Sequence, residues 1–402
     1  MKWLVFPALA LAAALLGLSS RAAAPTKVVF WHYLSGDGTL AVVKNFAKEF
    51  NNSQSKYAVE VVEPGDFKDI QIKLQAALAS KGDLPSLVQI DNAFFTRLAL
   101  GNQLLDATPM LETLPKGTVQ DFNDTIWDYG SVNNKRFGLP WAASTLINYY
   151  NADAFKAKNL AAPRTWDEYI KAAKTLTNRT SKGAIFFIDA WIFGSMVSSR
   201  GGNILDAGNK PDFDSSASVQ TLQMMYDLTR GGQAIVRNFS EANFAVIDWV
   251  RTKAFMVTVP SSSYTLVKSV LPFQIGAVPM PGRTLAGESQ LIIPKGNPEA
   301  ETKGAFEFWA FLTRTENVVR FVKESYYLPL RNSAIKPLGD FMNEPVMKAS
   351  MEALEKAYNP PHLLEYQKWR DVLEAQMERS LKGGLDPKTA LLEAQRLALQ
   401  VR

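Results

Sequence analysis

Cysteine is missing from all 402 residues, and histidine occurs only twice, as His32 and His362. No disulfide framework, thiolate nucleophile or lipid-modified cysteine is therefore available. Two imidazoles without thiolates also leave too few soft ligands for a transition-metal centre, so no metal or other cofactor is expected. A serine hydrolase would need one of the same two histidines, or a lysine, beside its nucleophile, and the Gly-x-Ser-x-Gly turn that presents such a serine does not occur. A phosphate loop of the Gly-x-x-x-x-Gly-Lys-Ser/Thr type is absent as well. Charge of one sign is scarce: 44 Lys and Arg against 39 Asp and Glu give a formal net charge of +5. That small, unclustered excess speaks against a basic nucleic-acid-binding face. Acidic residues are numerous enough that a pair of catalytic carboxylates, and with it an exported glycosidase, stays open.

Long apolar runs are equally rare. One stands at the N-terminus, from Trp3 to Leu18, preceded by Lys2 and followed by Ser20-Arg21-Ala22. It is interrupted by Pro7 and Gly17 and is shorter than the ~20 residues that a spanning helix needs. Residues 1–22 therefore read as a signal peptide cut after Ala22, where small residues sit three and one before the cut. Removing Lys2 and Arg21, with no acidic residue in that segment, would lower the formal charge by two, from +5 to +3. The hydrophobic content of 47% is ordinary for a globular protein, and a chain this long outgrows a single core, so two compact lobes are expected.

Along the chain, Lys27–Tyr33 is a short apolar run ended by Leu-Ser-Gly-Asp-Gly, after which Leu40, Val43, Phe46, Ala47 and Phe50 recur at helical spacing. The pattern repeats with Tyr57–Val62, the break Pro64-Gly65, and Ile70, Leu74, Ala77 and Leu78; a third strand is expected over Ser86–Asp91. Alternating strands and helices of this length imply parallel strands with right-handed crossovers, and ligands of open sheets sit beyond the strands' carboxyl ends. Those ends are Trp31 to Asp37, Pro64 to Phe67, and Asp91-Asn92. Thr165 with Glu168 three residues on is a capping box, and Asp386-Pro387 an N-cap and N1 pair. Aromatic rings gather at predicted strand ends and loops: Trp31, Tyr33, Phe67, Trp141, Trp191, Tyr264 and Tyr327. Such plates, beside a few hydrogen-bonding groups, suit the C–H faces and hydroxyls of a sugar.

The stretch Gly138–Phe155 carries a strand pattern out of one block and into another, with Thr145, Ile147 and Tyr149 alternating as a half-buried strand does. Its residues Leu139-Pro140-Trp141, Ser144-Thr145 and Tyr149-Tyr150-Asn151-x-Asp153-Ala154-Phe155, followed by Thr165-Trp166, resemble the cross-over region of family 1 extracellular solute-binding proteins of ABC importers. The likeness runs from Phe30-Trp31-His32 through Tyr327-Leu328-Pro329 to Pro360-Pro361 and Asp386-Pro387, and is greatest to the family's glycerol-3-phosphate-binding members. It implies an α/β periplasmic binding-protein fold: two lobes with parallel-rich sheets joined by a multi-strand hinge. Lobe I would comprise 23–140 with 280–314, and lobe II 141–279 with 315–402.

The resemblance also implies ligand contacts. Ser144, Ser261, Gly287 and the loop tyrosine Tyr327 fall on family positions. Phe67 replaces a tyrosine, Asn92, beside Asp91, replaces a glutamate, and the late arginine is missing near His362. Trp191 adds an aromatic plate, and Glu288 places a carboxylate beside Gly287 where a dianion would be repelled. Arg331 and Arg370 are the cations that could still reach the cleft. The expectation is therefore a soluble, periplasmic, monomeric binding protein without enzymatic activity or lipid anchor. It would take a neutral sugar or polyol and deliver it to an ABC permease, with glycerol 3-phosphate or a glycerophosphodiester as the alternative ligand. An exported glycosidase and a purely interacting surface protein are the rival classes.

Overall fold

The computed structural model describes residues 24–80 and 82–401, without the side chains of Asn243, Phe244 and Glu288. The expected signal peptide lies outside the described residues. Runs rich in Val, Ile, Phe and Tyr favour a pleated, buried surface, and they form ten principal strands. These are β1 (Thr26–Trp31), β2 (Tyr57–Val62), β3 (Leu87–Asp91), β4 (Leu139–Ser144), β5 (Leu146–Asn151), β6 (Lys182–Ile188), β7 (Ala234–Asn238), β8 (Ala254–Pro260), β9 (Ile275–Pro279) and β10 (Gly287–Ile292).

They make two five-stranded sheets, ordered β2-β1-β3-β10-β4 and β9-β5-β8-β6-β7. In the first, β1 pairs in parallel with β2 and β3, while β10 is antiparallel to β3 and β4. In the second, β6 pairs in parallel with β7 and β8, while β5 is antiparallel to β8 and β9. The parallel pairs carry the expected helical crossovers, including Asp37–Ser53 and Phe67–Ser80. The antiparallel strands are those that return from the other sheet.

Each sheet has its own core. Phe30, Phe46, Phe50, Phe308 and Trp309 pack on the first, and Tyr169, Phe187, Phe193, Trp249 and Met256 on the second. Full burial of one large apolar side chain stabilises by about 1.5–3 kcal/mol, and Phe321, Leu328 and Leu330, from beyond helix Glu299–Leu312, join the first core. Trp141, expected as a ring near the cleft, is instead 1% exposed and stacked on Phe321 with centroids 5.1 Å apart. The strand β5 also differs from its half-buried pattern. Leu146 to Tyr149 are all buried, because helix Pro345–Leu354 packs against the strand and Trp249 and Tyr264 cover Tyr149.

Three passages join the sheets. The first is a single residue, Thr145, between β4 and β5; its hydroxyl donates to the Ser350 carbonyl (3.1 Å) and its carbonyl accepts from the Ser261 amide (3.1 Å). The division expected between 140 and 141 thus falls inside β4. The second passage, 280–286, contains the short strand Thr284–Leu285, paired with Ala357–Tyr358. The third lies at Thr313-Arg314, between helices Glu299–Leu312 and Thr315–Ser325. Beyond Tyr358 the chain returns to the first sheet's helices before entering helix Tyr366–Leu381: Asn359 Nδ2 donates to the Thr125 carbonyl (2.8 Å). The two predicted caps are present, with Thr165 and Glu168 bonded reciprocally and Asp386 accepting from the Thr389 amide. Among the described residues no helix is long and apolar enough to cross a membrane.

Candidate ligand-binding site

The carboxyl ends of β1, β2 and β3 present Tyr33, Phe67, Lys68, Asp91 and Asn92 toward the second lobe. A polar thread fixes Tyr33 from behind. Its amide donates to Gln89 Oε1 (3.2 Å), Gln89 Nε2 donates to Ser289 Oγ (2.9 Å), and Ser289 Oγ donates to the Trp141 carbonyl (3.0 Å). Phe67 meets the Tyr33 ring edge-on, with centroids 6.4 Å apart. Burial pushes the Tyr33 hydroxyl well above its ordinary range, with Asp91 and Tyr327 as further contributors. It is therefore a neutral donor at any physiological pH.

Asp91 and Asn92 stand at the start of helix Asn92–Leu100. Asp91 Oδ1 caps that helix by accepting from the amides of Ala93 (2.9 Å) and Phe94 (3.0 Å), and Gln71 Nε2 donates to its other oxygen. The Asn92 carbonyl accepts from Tyr129 Oη (2.9 Å) and Thr96 Oγ1 (3.1 Å), while Asn92 Oδ1 is buried without a hydrogen-bond partner among the described residues. A buried orphan acceptor costs about 1–3 kcal/mol, a penalty that a ligand hydroxyl or a water would relieve.

Three expected residues converge where the sheets meet. Ser144 ends β4, and its hydroxyl donates to the carbonyl of Gly287, the first residue of β10 (3.3 Å). Any Cβ at Gly287 would overlap the Trp191 ring, whose Nε1 donates to the Leu285 carbonyl (3.0 Å). Glycine there lets the indole lie on the crossing strand's backbone. Tyr327 follows Tyr326, which holds the left-handed conformation at φ 55°. The Tyr327 ring stacks on Phe321 (5.6 Å, 8° between planes), and Ser262 is its side-chain hydrogen-bond partner.

Two expected residues sit behind the cleft wall. Ser261 is fully buried, and its hydroxyl donates to the Tyr326 carbonyl (2.8 Å). His362 is lodged in a notch of the first lobe, where its Nδ1 is hydrogen-bonded to Thr96 Oγ1 (2.9 Å) and its ring lies 4.5 Å from Tyr129 and 5.7 Å from Phe95. Burial holds its pKa below the ordinary imidazole value. The Glu288 side chain lies outside the described residues.

The cation that sequence reasoning left unplaced is Arg370. Arg331 is spent elsewhere, on Asp121 (2.7 Å). Arg370 Nη2 lies 3.6 Å from Asp189 Oδ2 and 4.0 Å from Glu374 Oε1, while its Nε is buried without a partner among the described residues. Asp189 caps helix Ala190–Ser198 through Ile192 N (2.8 Å), and Glu374 Oε1 accepts from the Ala190 amide (2.9 Å). Burial raises the pKa of both carboxyls, against the pull of Arg370. Across the cleft, Lys68 is an electrostatic neighbour of Asp189, Asp91 of Arg370, and Tyr33 of Tyr327. Arg370 was legible as a candidate cation; Glu374 carried no signal of its own. Among the described residues no group of three or more His, Asp or Glu side chains is placed to hold a metal.

Two α/β sheets joined by crossing strands, with an aromatic and polar cleft at their carboxyl ends, define a two-lobed binding protein of the periplasmic type. The sequence profile of bacterial extracellular solute-binding proteins matches residues 41–349, and the chain belongs to that family, the solute-binding components of ABC importers. The sn-glycerol-3-phosphate-binding periplasmic protein UgpB of Brucella abortus (strain 2308) is 26% identical over 413 residues, spanning 94% of this chain and 93% of the relative. The UgpB structure from Mycobacterium tuberculosis, in complex with glycerophosphocholine, superposes with a TM-score of 0.83 at 20% identity, covering 93% of this chain and 98% of that one. The acarbose-binding GacH receptor of Streptomyces glaucescens superposes at 0.84 with 19% identity, covering 94% and 100%.

Proposed function

We propose that this protein captures a neutral sugar or polyol between its lobes, as a monomer in the periplasm, and hands it to the membrane permease of an ABC importer without chemical turnover. The carrying observation is the composition of the cleft. Tyr33, Phe67 and Trp191 supply rings, Asn92 and Ser144 supply uncharged polar groups, and the guanidinium of Arg370 is already flanked by Asp189 and Glu374. A ligand without charge displaces no existing ionic partner there. The units expected to move are the two sheets with their helices, divided at Thr145, within 280–286 and at Thr313-Arg314. A ligand touching both favours the closed state by its differential affinity for it.

A glycerol phosphodiester or glycerol 3-phosphate is the second reading. It is favoured by the buried, unpartnered Nε of Arg370 and by the ligands for which two relatives are named. Calorimetric titration with maltose, monomeric sugars, glycerol 3-phosphate and glycerophosphocholine, at low and high salt, decides between them. A saturable sugar isotherm with little salt dependence and a smaller scattering radius is expected. A strongly salt-dependent phosphate isotherm without any sugar response would establish the second reading instead.

A further inference from the structure

The tryptophan and the arginine of the second-lobe wall share a support that neither the family likeness nor the sequence motifs single out. Trp191 is the second residue of helix Ala190–Ser198. The first amide of that helix, Ala190 N, donates to Glu374 Oε1 at 2.9 Å, across 184 residues of sequence. The same oxygen lies 4.0 Å from Nη2 of Arg370, one turn earlier on helix Tyr366–Leu381. We propose that Glu374 is the positioning residue of this cleft, one carboxylate that sets the helix end bearing Trp191 and restrains the guanidinium of Arg370. The inference rests on the reading of this cleft as the ligand site.

The two duties respond differently to a proton. A protonated carboxyl keeps a carbonyl oxygen that accepts from Ala190 N, so the helix end stays in place. It loses its charge toward Arg370, which is then balanced by Asp189 alone and is free to meet an anion. Burial, with Asp189 beside it, pushes the Glu374 carboxyl up to about 7, and 31% of the side chain is exposed, so solvent can exchange the proton. The other groups facing this cluster are Asp371 on the same helix, Lys68 and Asp91 from the first lobe, Tyr366 beside Arg370, and Tyr358 beside Tyr366. An anionic ligand on Arg370 is therefore bound together with a proton at Glu374, and a neutral ligand is not.

The test starts without ligand. In full-length mature protein with ¹⁵N-labelled tryptophan, the Trp191 indole resonance is identified by its loss in Trp191→Phe and followed with pH. The expected titration has a midpoint near that of Glu374, at about 7. It should vanish in Glu374→Gln, which keeps an acceptor for Ala190 N, and the resonance should be displaced at every pH in Glu374→Ala. A Trp191 resonance indifferent to both variants overturns the proposal, as does a titration that survives in Glu374→Gln. The second arm uses glycerophosphocholine, whose phosphodiester does not itself titrate in this range, beside maltose. Between one unit below and one unit above the midpoint, wild-type affinity for the phosphodiester should fall about tenfold. In Glu374→Gln the two affinities should converge, and maltose should show no such fall in either protein. If neither probe binds, the ligand reading fails while the ligand-free titration still decides the role of Glu374.

Discussion

The two walls of the cleft follow opposite electrostatic plans. Beside Lys68 and Asp91, the first-lobe wall is lined and backed by groups kept neutral: Tyr33 is held neutral by burial, Asn92 Oδ1 is an uncharged orphan, and burial lowers the pKa of both His32 and His362. The second-lobe wall concentrates charge, with Arg370 set between Asp189 and Glu374 and Trp191 mounted on the helix that both carboxylates hold. Neutral groups discriminate by shape and by the direction of hydroxyls. A charged wall discriminates by balance, because any ligand charge must displace an existing partner. The contrast predicts that substitutions of the neutral side chains facing the cleft change affinity smoothly, while those in the Arg370 cluster change stability, pH response and affinity together.

The largest break should come from Arg370→Ala. It leaves Asp189 and Glu374 facing each other in a partly desolvated site, and removing one partner of such a group typically costs about 3–5 kcal/mol. Urea unfolding above neutral pH should show a loss near the low end of that range, since 21% of the arginine side chain is exposed. Adding Glu374→Gln to Arg370→Ala should recover part of the loss; no recovery would mean that the two carboxylates do not repel through this site.

Acid and base should next separate the walls. His32 is fully buried, and burial pulls its pKa down to about 4 from the ordinary 6.5. Its folded pKa lies below its unfolded one, so its neutral form supports the fold above pH 6.5, and that support is lost as pH falls toward 4. The whole shift is worth about 3 kcal/mol. Glu374 has the opposite sign: its folded pKa is raised from 4.5 to about 7, so its contribution is present below the unfolded value and lost as pH rises through neutrality. Urea-derived stability against pH should flatten on the acid limb in His32→Gln and on the neutral limb in Glu374→Gln. A single variant flattening both limbs would show that the walls are not independent.

For affinity, Trp191→Ala should outweigh Phe67→Ala. A central tryptophan typically contributes about 2 kcal/mol or more to binding, whereas an edge-on ring adds about 1 kcal/mol beyond its buried area. Calorimetry on variants with unchanged far-ultraviolet dichroism tests the order. Equal losses would place the ligand midway between the walls instead of against the indole.

Much of this was legible in the chain. The parallel strands were readable from alternating apolar runs and breaks, and β2 lies where its run was read. The capping box at Thr165 and the N-cap at Asp386 follow from local chemistry that does not depend on the rest of the fold. Ser144, Gly287 and Trp191 were read separately and meet at one point. Tertiary packing hid the remainder. Trp141 has the same local pattern as a cleft ring, and the approach of Phe30 and Phe321, both far along the chain, makes it core. Glu374 lies on a helix whose pattern marks it as one of many polar positions; its meaning comes from Ala190, which no local signal connects to it. His362 marks the stretch where the family's late arginine is missing, and its ring fills a notch beside Tyr129 and Phe95.

The smallest expected effect separates two adjacent serines. Ser261 donates to the carbonyl of Tyr326, the residue in the left-handed conformation, and Tyr326 Oη donates to Glu344 (2.6 Å). A non-glycine residue at positive φ costs of order 1 kcal/mol and persists because its surroundings hold it. Ser261→Ala removes one holder without touching a ligand directly, so it should lower stability by about 1 kcal/mol. Any effect on binding would be indirect, through a looser Tyr327. Ser262, the side-chain partner of Tyr327, should behave in reverse: Ser262→Ala leaves the melting temperature nearly unchanged and weakens binding by about 0.5–1.5 kcal/mol, because the tyrosine hydroxyl loses its orientation. Tyr326→Phe, which deletes only the bond to Glu344, should resemble Ser261→Ala. If Ser261→Ala instead reduces affinity at constant stability, its hydroxyl reaches the ligand after closure, and the second-lobe wall is wider than its charged cluster.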